Sequence, residues 1–267
     1  MANQPDWHDI AEKFDMWLPF IQPVGDQLLV ALAAQAGDKI LDVASGTGEP
    51  ALTLARQMGE SVTIHGVDAA EGMVKVAQGK ADKEALNNIS FAVMSAEKLR
   101  YEDNYFDKVL CRFGVMLFDN PLAGVKEIRR VLKVGGAFAI AVWAEANKMT
   151  TLSWSYEALK DKIPEAIHPP LKNVTSLGGK GAVEALFSEA GFSDINVSRC
   201  TFNYEFESFE DYWRIVQASN LLKVQFEALS ELQCQSVKEE IAEFAEAYRA
   251  NGRYIVPHDC LLVTGGK

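Results

Sequence analysis

Short apolar runs alternate along this chain with segments whose apolar residues recur at helical spacing. The runs Lys39 to Val43 (KILDV), Val62 to Val67 (VTIHGV), Ile89 to Met94 (ISFAVM), Asp107 to Cys111 (DKVLC) and Ala137 to Trp143 (AFAIAVW) predict buried strands. Strands separated by helix-length segments form βαβ units and a mostly parallel sheet. Asn120-Pro121 predicts a capped helix start, with Leu122, Val125, Ile128 and Leu132 as its apolar stripe and Gly135-Gly136 as its stop. After Trp143 the rhythm changes. Asn147 to Leu177 is a connection too long for a structureless loop, broken at Ile167-His168-Pro169-Pro170, and is expected to form a lid. Gly181 to Ala190 predicts a helix closed by Gly191, and Ile195 to about Phe206 a strand. One further helix is expected from near Ser208, with Phe209, Tyr212, Trp213 and Val216 on one face. Another is expected behind a capping box, Ser236-x-x-Glu239, with Val237, Ile241, Phe244 and Tyr248 on one stripe. Tyr254 to Thr264 predicts the last strand.

Composition narrows the partners. Hydrophobic residues make up 48% and charged residues 24% of 267, enough for a sizeable core. Lys and Arg number 26 against 37 Asp and Glu, a net charge of -11, and no basic cluster exceeds Arg129-Arg130. Nucleic-acid binding rests on cations that neutralise phosphates, so nucleic acid is disfavoured and a small molecule is expected. Cys111, Cys200, Cys234 and Cys260 are scattered without a C-x-x-C pair, which argues against a zinc cluster or disulfide framework and fits a reducing compartment. The N-terminal residues lack a signal-peptide pattern, and no apolar run approaches the ~20 residues of a membrane helix. A cytoplasmic protein without a membrane span is the expectation.

The chemistry concentrates in Ile40-Leu-Asp-Val-Ala-Ser-Gly-Thr-Gly-Glu-Pro50. A strand ends near Asp42, a loop carries Ala44, Ser45, Gly46 and Gly48, and a helix begins at about Pro50. Gly46-x-Gly48-x-x-Ala51 formally satisfies a dinucleotide fingerprint. A pyrophosphate, however, needs a helix N-terminus rich in free N–H groups and poor in anions. Here Asp42 and Glu49 flank the loop and Pro50 removes a donor, an arrangement suited to a ligand with a cation near the loop. The second strand ends in Asp68, whose carboxylate is placed to accept from both hydroxyls of a ribose; that feature serves either cofactor class.

The ordered segments LDVASGTGEPALTLA, HGVDAAEGMVKVA, SAEKLRYEDNYFDKVLCRFGVMLF and EIRRVLKVGGAFAIAVW resemble class I S-adenosylmethionine-dependent methyltransferases. Within these the chain is most similar to the branch of ubiquinone- and menaquinone-biosynthesis enzymes. The likeness covers about Gly37 to Trp143, and Ser188-Glu-Ala-Gly-Phe192 resembles a later landmark. The resemblance implies a Rossmann-like, doubly wound, seven-stranded α/β sheet, mostly parallel with an antiparallel last strand, plus helical lid insertions. A single domain over 1–267 is expected, with a core of about 36–146, 178–206 and 254–267 and lid elements at about 1–35, 147–177 and 207–253. It further implies S-adenosyl-L-methionine as cofactor, with Asp42, Ala44, Ser45, Gly46 and Gly48 along its methionine moiety and Asp68 on its ribose. Ala69 and Met73 would pack beside ribose and adenine. Ser95, Ala96 and Glu97 occupy the adenine-edge position; Ser95 stands where many relatives carry Asp, leaving backbone contact at Ala96. Arg112, Phe113 and Met116 would line the methyl-donor pocket.

Among the histidines, His65 and His258 lie inside strands and read as structural, whereas His8 and His168 lie in expected lid segments and are the candidate catalytic bases. The aromatic residues Trp7, Phe14, Trp17 and Phe20 fit either a helix docked on the core or a segment closing over the cofactor. Cys111-Arg112-Phe113-Gly114 stands where amino-base methyltransferases carry an Asn/Asp-Pro-Pro-aromatic motif, so a small acceptor is expected and O-, N- or C-methylation stays open. Quinone-ring C-methylation is the main alternative among enzymes. An S-adenosylmethionine-binding module without turnover and an NAD-dependent oxidoreductase are the readings from other classes.

Overall fold

The computed structural model describes residues 6–267; residues 1–5, the start of the expected lid segment 1–35, lie outside the described residues. In chain order the strands are β1 (Lys39–Val43), β2 (Thr63–Asp68), β3 (Ile89–Val93), β4 (Phe106–Arg112), β5 (Leu132–Trp143), β6 (Asp194–Phe206), a two-residue β7 (Arg249–Ala250) and β8 (Arg253–Gly266). They hydrogen-bond in the order β3-β2-β1-β4-β5-β8-β6, with β7 paired to β8. Strands β1 to β5 are mutually parallel, and β8 runs antiparallel between β5 and β6. The expected α/β sheet with an antiparallel last strand is thus present, β7 being an addition at the foot of β8. Strand order reverses between β1 and β4, the switch point at which open α/β sheets bind ligands beyond their carboxyl ends.

The helices are α1 (Ala11–Phe14), α2 (Leu18–Leu32), α3 (Ala51–Met58), α4 (Glu71–Lys83), α5 (Pro121–Val131), α6 (Thr150–Leu159), α7 (Leu171–Val174), α8 (Ala182–Glu189), α9 (Phe209–Ala218), α10 (Lys223–Glu227) and α11 (Glu231–Glu246). Helix α2 packs on β4, β5, β6 and β8, α4 on β2 and β3, and α6 on α11 and β8. The central strands are buried on both faces: Ile40, Leu41, Ile64, Val109, Leu110 and Ile140 have no solvent exposure. That is why β1, β4 and β5 read as continuous apolar runs rather than alternating ones.

Two local expectations change. Asn120 caps α5 as expected, its side chain accepting from the Ala123 N–H at 3.0 Å. The helix nevertheless ends at Val131, and Leu132 already pairs with Phe106; Gly135-Gly136 fall in an irregular opening turn of β5 instead of stopping the helix. The cap of α11 is Ser230, not Ser236. Ser230 and Gln233 exchange side-chain-to-backbone bonds in a capping box, whereas Ser236 sits inside the helix and bonds Glu240. Both sites satisfy the same spacing rule, and the earlier one takes the helix start.

Candidate functional site

The carboxyl ends of β1, β2, β4, β5 and β6 open into one cavity of about 510 Å³. Of the residues singled out from sequence, Ala44, Ser45, Gly46, Asp68, Ala69, Met73, Ser95, Ala96, Glu97, Arg112, Phe113 and Met116 line it. Asp42 lies directly beneath the loop, fully buried, and Gly48 turns the loop into α3. Gly48 has φ +102°, and a Cβ there would come within 2.6 Å of Leu52 Cδ1, so glycine is required twice over.

One end of the cavity is acidic. Asp68 accepts the Gly46 N–H on Oδ2 (2.8 Å) and the Ala70 N–H on Oδ1 (2.9 Å), which fixes its carboxylate and leaves each oxygen a lone pair. Burial raises its pKa, and these backbone donors work against that. Both oxygens of Asp42 and Ser45 Oγ are buried without a hydrogen-bond partner. Burial raises the Asp42 pKa well above the carboxylate range; Arg112 lowers it, and Asp68 and Glu49 raise it further. A carboxyl buried this way favours its neutral form until a cation beside it restores the anion. Arg112 is spoken for, donating to the carbonyls of Glu49 (2.9 Å) and Ile21 (3.4 Å). Burial brings its pKa down to about 10, so it stays charged at neutral pH. The orphaned carboxylate, the fixed Asp68 and the glycine loop together fit a ligand carrying a ribose and a nearby positive charge.

Ser95 and Glu97 close the adjoining rim. The Ser95 hydroxyl donates to Glu97 Oε2, and Glu97 Oε1 accepts the Asn120 N–H at 3.3 Å. The other end of the cavity is aromatic and apolar. Phe113, held at φ +59°, lies flat on Trp143 with centroids 3.9 Å apart. Met149, Leu152, Tyr204, Val216 and Leu222 continue this wall.

His8 and His168, the candidate bases, are not among the lining residues. His8 Nδ1 accepts the Gly72 N–H at 3.0 Å and moors the N-terminal segment to α4. His168 Nε2 lies 3.2 Å from the Ile163 carbonyl, its ring edge-on to Tyr156. His65 packs among Tyr101, Tyr105 and Phe106. Of the N-terminal aromatics, Trp7, Phe14 and Trp17 line the cavity, while Phe20 packs on Tyr204 and Phe206. Of the α9 stripe, Tyr212 and Val216 face the cavity and Phe209 stacks on Trp213. Sequence reasoning did not single out Thr47, Trp143, Thr151, Ser155 or Tyr204, all of which line it. For Tyr204 a signal existed, the alternation Phe202, Tyr204, Phe206 along β6; for Thr151 and Ser155 it was only their spacing of one helical turn on α6.

Comparison with known proteins agrees with this arrangement. A model of the ubiE/COQ5 methyltransferase family matches residues 15–167. A demethylmenaquinone methyltransferase of Geobacillus kaustophilus is 27% identical over 190 residues, covering 66% of this chain and 80% of that protein. A ubiquinone/menaquinone biosynthesis C-methyltransferase of Pseudomonas putida is 26% identical over 211 residues, covering 73% of this chain and 82% of its own length. In fold, the chain is similar to the crystal structure of a SAM-dependent methyltransferase from Aquifex aeolicus, at 23% identity and a TM-score of 0.55 over 71% of this chain and 90% of that one.

Proposed function

The chain belongs to the ubiE/COQ5 methyltransferase family, and from this premise we propose that it methylates a ring carbon of a quinone-type small molecule. The protein is an S-adenosylmethionine-dependent methyltransferase acting on a small-molecule acceptor; the ring and its carbon are the proposal. The observation that carries it is the division of one cavity into an acidic end and a flat aromatic end. The relatives' names supply the chemistry, and the Phe113, Trp143 and Tyr204 rings supply walls suited to a planar apolar acceptor.

In this reading Asp68 would hold the ribose hydroxyls, and Ala69 and Met73 would pack beside ribose and adenine. Ala96, with Ser95 and Glu97, would meet the adenine edge. Asp42 and Glu49 would set a negative field for the ammonium and sulfonium, with Ala44, Ser45, Gly46 and Gly48 shaping the loop. Arg112, Phe113 and Met116 would border the methyl-donor pocket. Bound S-adenosylmethionine supplies an electrophilic methyl carbon. The chain's own task is to hold the acceptor carbon roughly 3 Å from it and keep water away. The segments 1–35, 147–177 and 207–253 would form the lid, since Trp17, Thr151 and Tyr212 from them face the cavity. Among the described residues no helix is long and apolar enough to cross a membrane. A cytoplasmic location is part of the same reading, supported by the free thiols of Cys200 and Cys260, buried directly opposite one another across β6 and β8.

The test uses methyl-deuterated S-adenosylmethionine with a short-chain prenylated naphthoquinone lacking the ring methyl, offered oxidised and reduced. Product carrying the label on a ring carbon is expected, and Asp68→Ala is expected to weaken S-adenosylmethionine binding at least tenfold, as removal of a charged hydrogen-bonding group does. Label on oxygen, or none in either redox state, would overturn the ring-carbon reading.

A further inference from the structure

Behind the aromatic end of the cavity lies a buried polar cluster with no part in holding the cofactor: His258, Thr151, Ser155 and Tyr212, each almost wholly removed from solvent. His258 stands near the start of β8, its ring stacked on Tyr204 with centroids 3.9 Å apart. Nδ1 is 3.1 Å from the Val256 carbonyl, which can only accept, so Nδ1 carries the hydrogen. Burial keeps the ring neutral, with a pKa brought down to about 4. Nε2 is then an acceptor, and it meets the Thr151 N–H at 3.2 Å and Thr151 Oγ1 at 3.0 Å. A contact between that oxygen and an unprotonated nitrogen needs the hydroxyl hydrogen between them.

Two further hydroxyls lie around the Thr151 carbonyl. Ser155 Oγ donates to the Thr151 carbonyl at 3.2 Å, and Tyr212 Oη reaches that carbonyl at 3.5 Å. Thr151, Ser155 and Tyr212 all line the cavity. The Thr151 hydroxyl has thus spent its hydrogen on His258 and retains lone pairs, so Oγ1 accepts a further hydrogen bond and offers none. We propose that Thr151 Oγ1 receives the hydroxyl or amino hydrogen of the methyl acceptor, and that His258 is the positioning residue that fixes Thr151 as an acceptor. This rests on the reading that the aromatic end holds the acceptor. A molecule presenting an ether or carbonyl oxygen there sets lone pair against lone pair and leaves a buried acceptor unmet.

The experiment measures binding of 1-naphthol and 1-methoxynaphthalene to the full chain saturated with S-adenosylhomocysteine. The wild-type protein is expected to prefer the naphthol about tenfold, the cost of one unmet buried hydrogen bond. Thr151→Ala is expected to abolish the preference and Thr151→Ser to keep it. His258→Phe retains the ring stack on Tyr204 and is expected to reduce the preference, while His258→Gln, with an acceptor oxygen near the Nε2 position, restores it. S-adenosylhomocysteine affinity, unchanged in all four variants, reports an intact fold. Nitrogen-15 imidazole spectra are expected to show His258 as the neutral Nδ1–H tautomer. Absence of a naphthol preference in the wild type, its survival in Thr151→Ala, or the opposite tautomer would overturn the proposal. An intact preference in a protein that methylates no quinone-type ring would overturn the ring-carbon reading alone.

Discussion

Phe113 and Trp143 stack face to face, centroids 3.9 Å apart and planes 3° apart, where β4 and β5 run out side by side. Phe113 is held there in the left-handed region, which a bulky side chain adopts only when its surroundings demand it. The Ala44 loop presses from the other side: a Cβ on Gly114 would come within 2.5 Å of Ala44 Cβ. Phe113→Ala removes a buried ring and keeps the backbone strain, so a loss of about 3 kcal/mol is expected in urea unfolding. Turnover should fall further than S-adenosylhomocysteine affinity, because the stack borders the acceptor end.

Asp42 should respond to the charge of the ligand. Burial raises its pKa, so the free protein holds a proton there to higher pH than an ordinary carboxyl would. A sulfonium favours the ionised form, so S-adenosylmethionine should expel that proton on binding. S-adenosylhomocysteine, whose sulfur is neutral, should expel less. Titration calorimetry over a pH series, each point in two buffers of different ionisation enthalpy, reads the difference, and Asp42→Asn should abolish it.

Asp15 ties the N-terminal segment to the glycine loop. It accepts from Thr47 Oγ1 at 2.6 Å and pairs with Lys80 Nζ at 2.6 Å, while that same ammonium donates to the Thr47 carbonyl at 3.0 Å. The pair is partly exposed, so Asp15→Asn should cost less than about 1 kcal/mol of stability. Dissociation of bound S-adenosylhomocysteine should nonetheless quicken several-fold in stopped-flow measurements, since Trp7, Phe14 and Trp17 come with the segment. Gly72→Ala should act likewise, because its Cβ would lie 2.5 Å from the His8 carbonyl oxygen.

His258 couples stability to pH. Its folded pKa of about 4 lies below the ordinary value of 6.5 because burial opposes the charge. The unfolded chain therefore takes up a proton that the folded one refuses, and stability falls as pH drops from 6.5 toward 4. The span corresponds to on the order of 3 kcal/mol. Urea unfolding at pH 7, 5.5 and 4.5 should show this slope, and His258→Gln should remove that share of it.

The legible parts of the site were those whose partners sit close in sequence. Asp42, Gly46 and Gly48 belong to one loop, and Asp68 closes the next strand, so their joint meaning survives without coordinates. The aromatic end is assembled differently. Thr151 meets His258 across 107 residues, and Asp15 meets Thr47 across 32. Each of those residues alone reads as an ordinary strand or helix position, and His258 in particular reads as core. His8 reads as a base because it lies in a lid segment; its Nδ1 accepts the Gly72 N–H. The fold was more readable than the site because burial on both faces of a parallel sheet writes itself into each strand separately. The Ser236 cap failed for the opposite reason: a short motif occurred twice, and only packing chooses between copies.

The position of β8 between β5 and β6 bears on how the protein matures during synthesis. The strands that carry the glycine loop and Asp68 are all made by Trp143, well before β8. Among the described residues strand β6 pairs with β8 alone, and His258 comes with β8. A chain stopped before β8 would carry the glycine loop and Asp68 but lack His258 and the strand that holds β6 in the sheet.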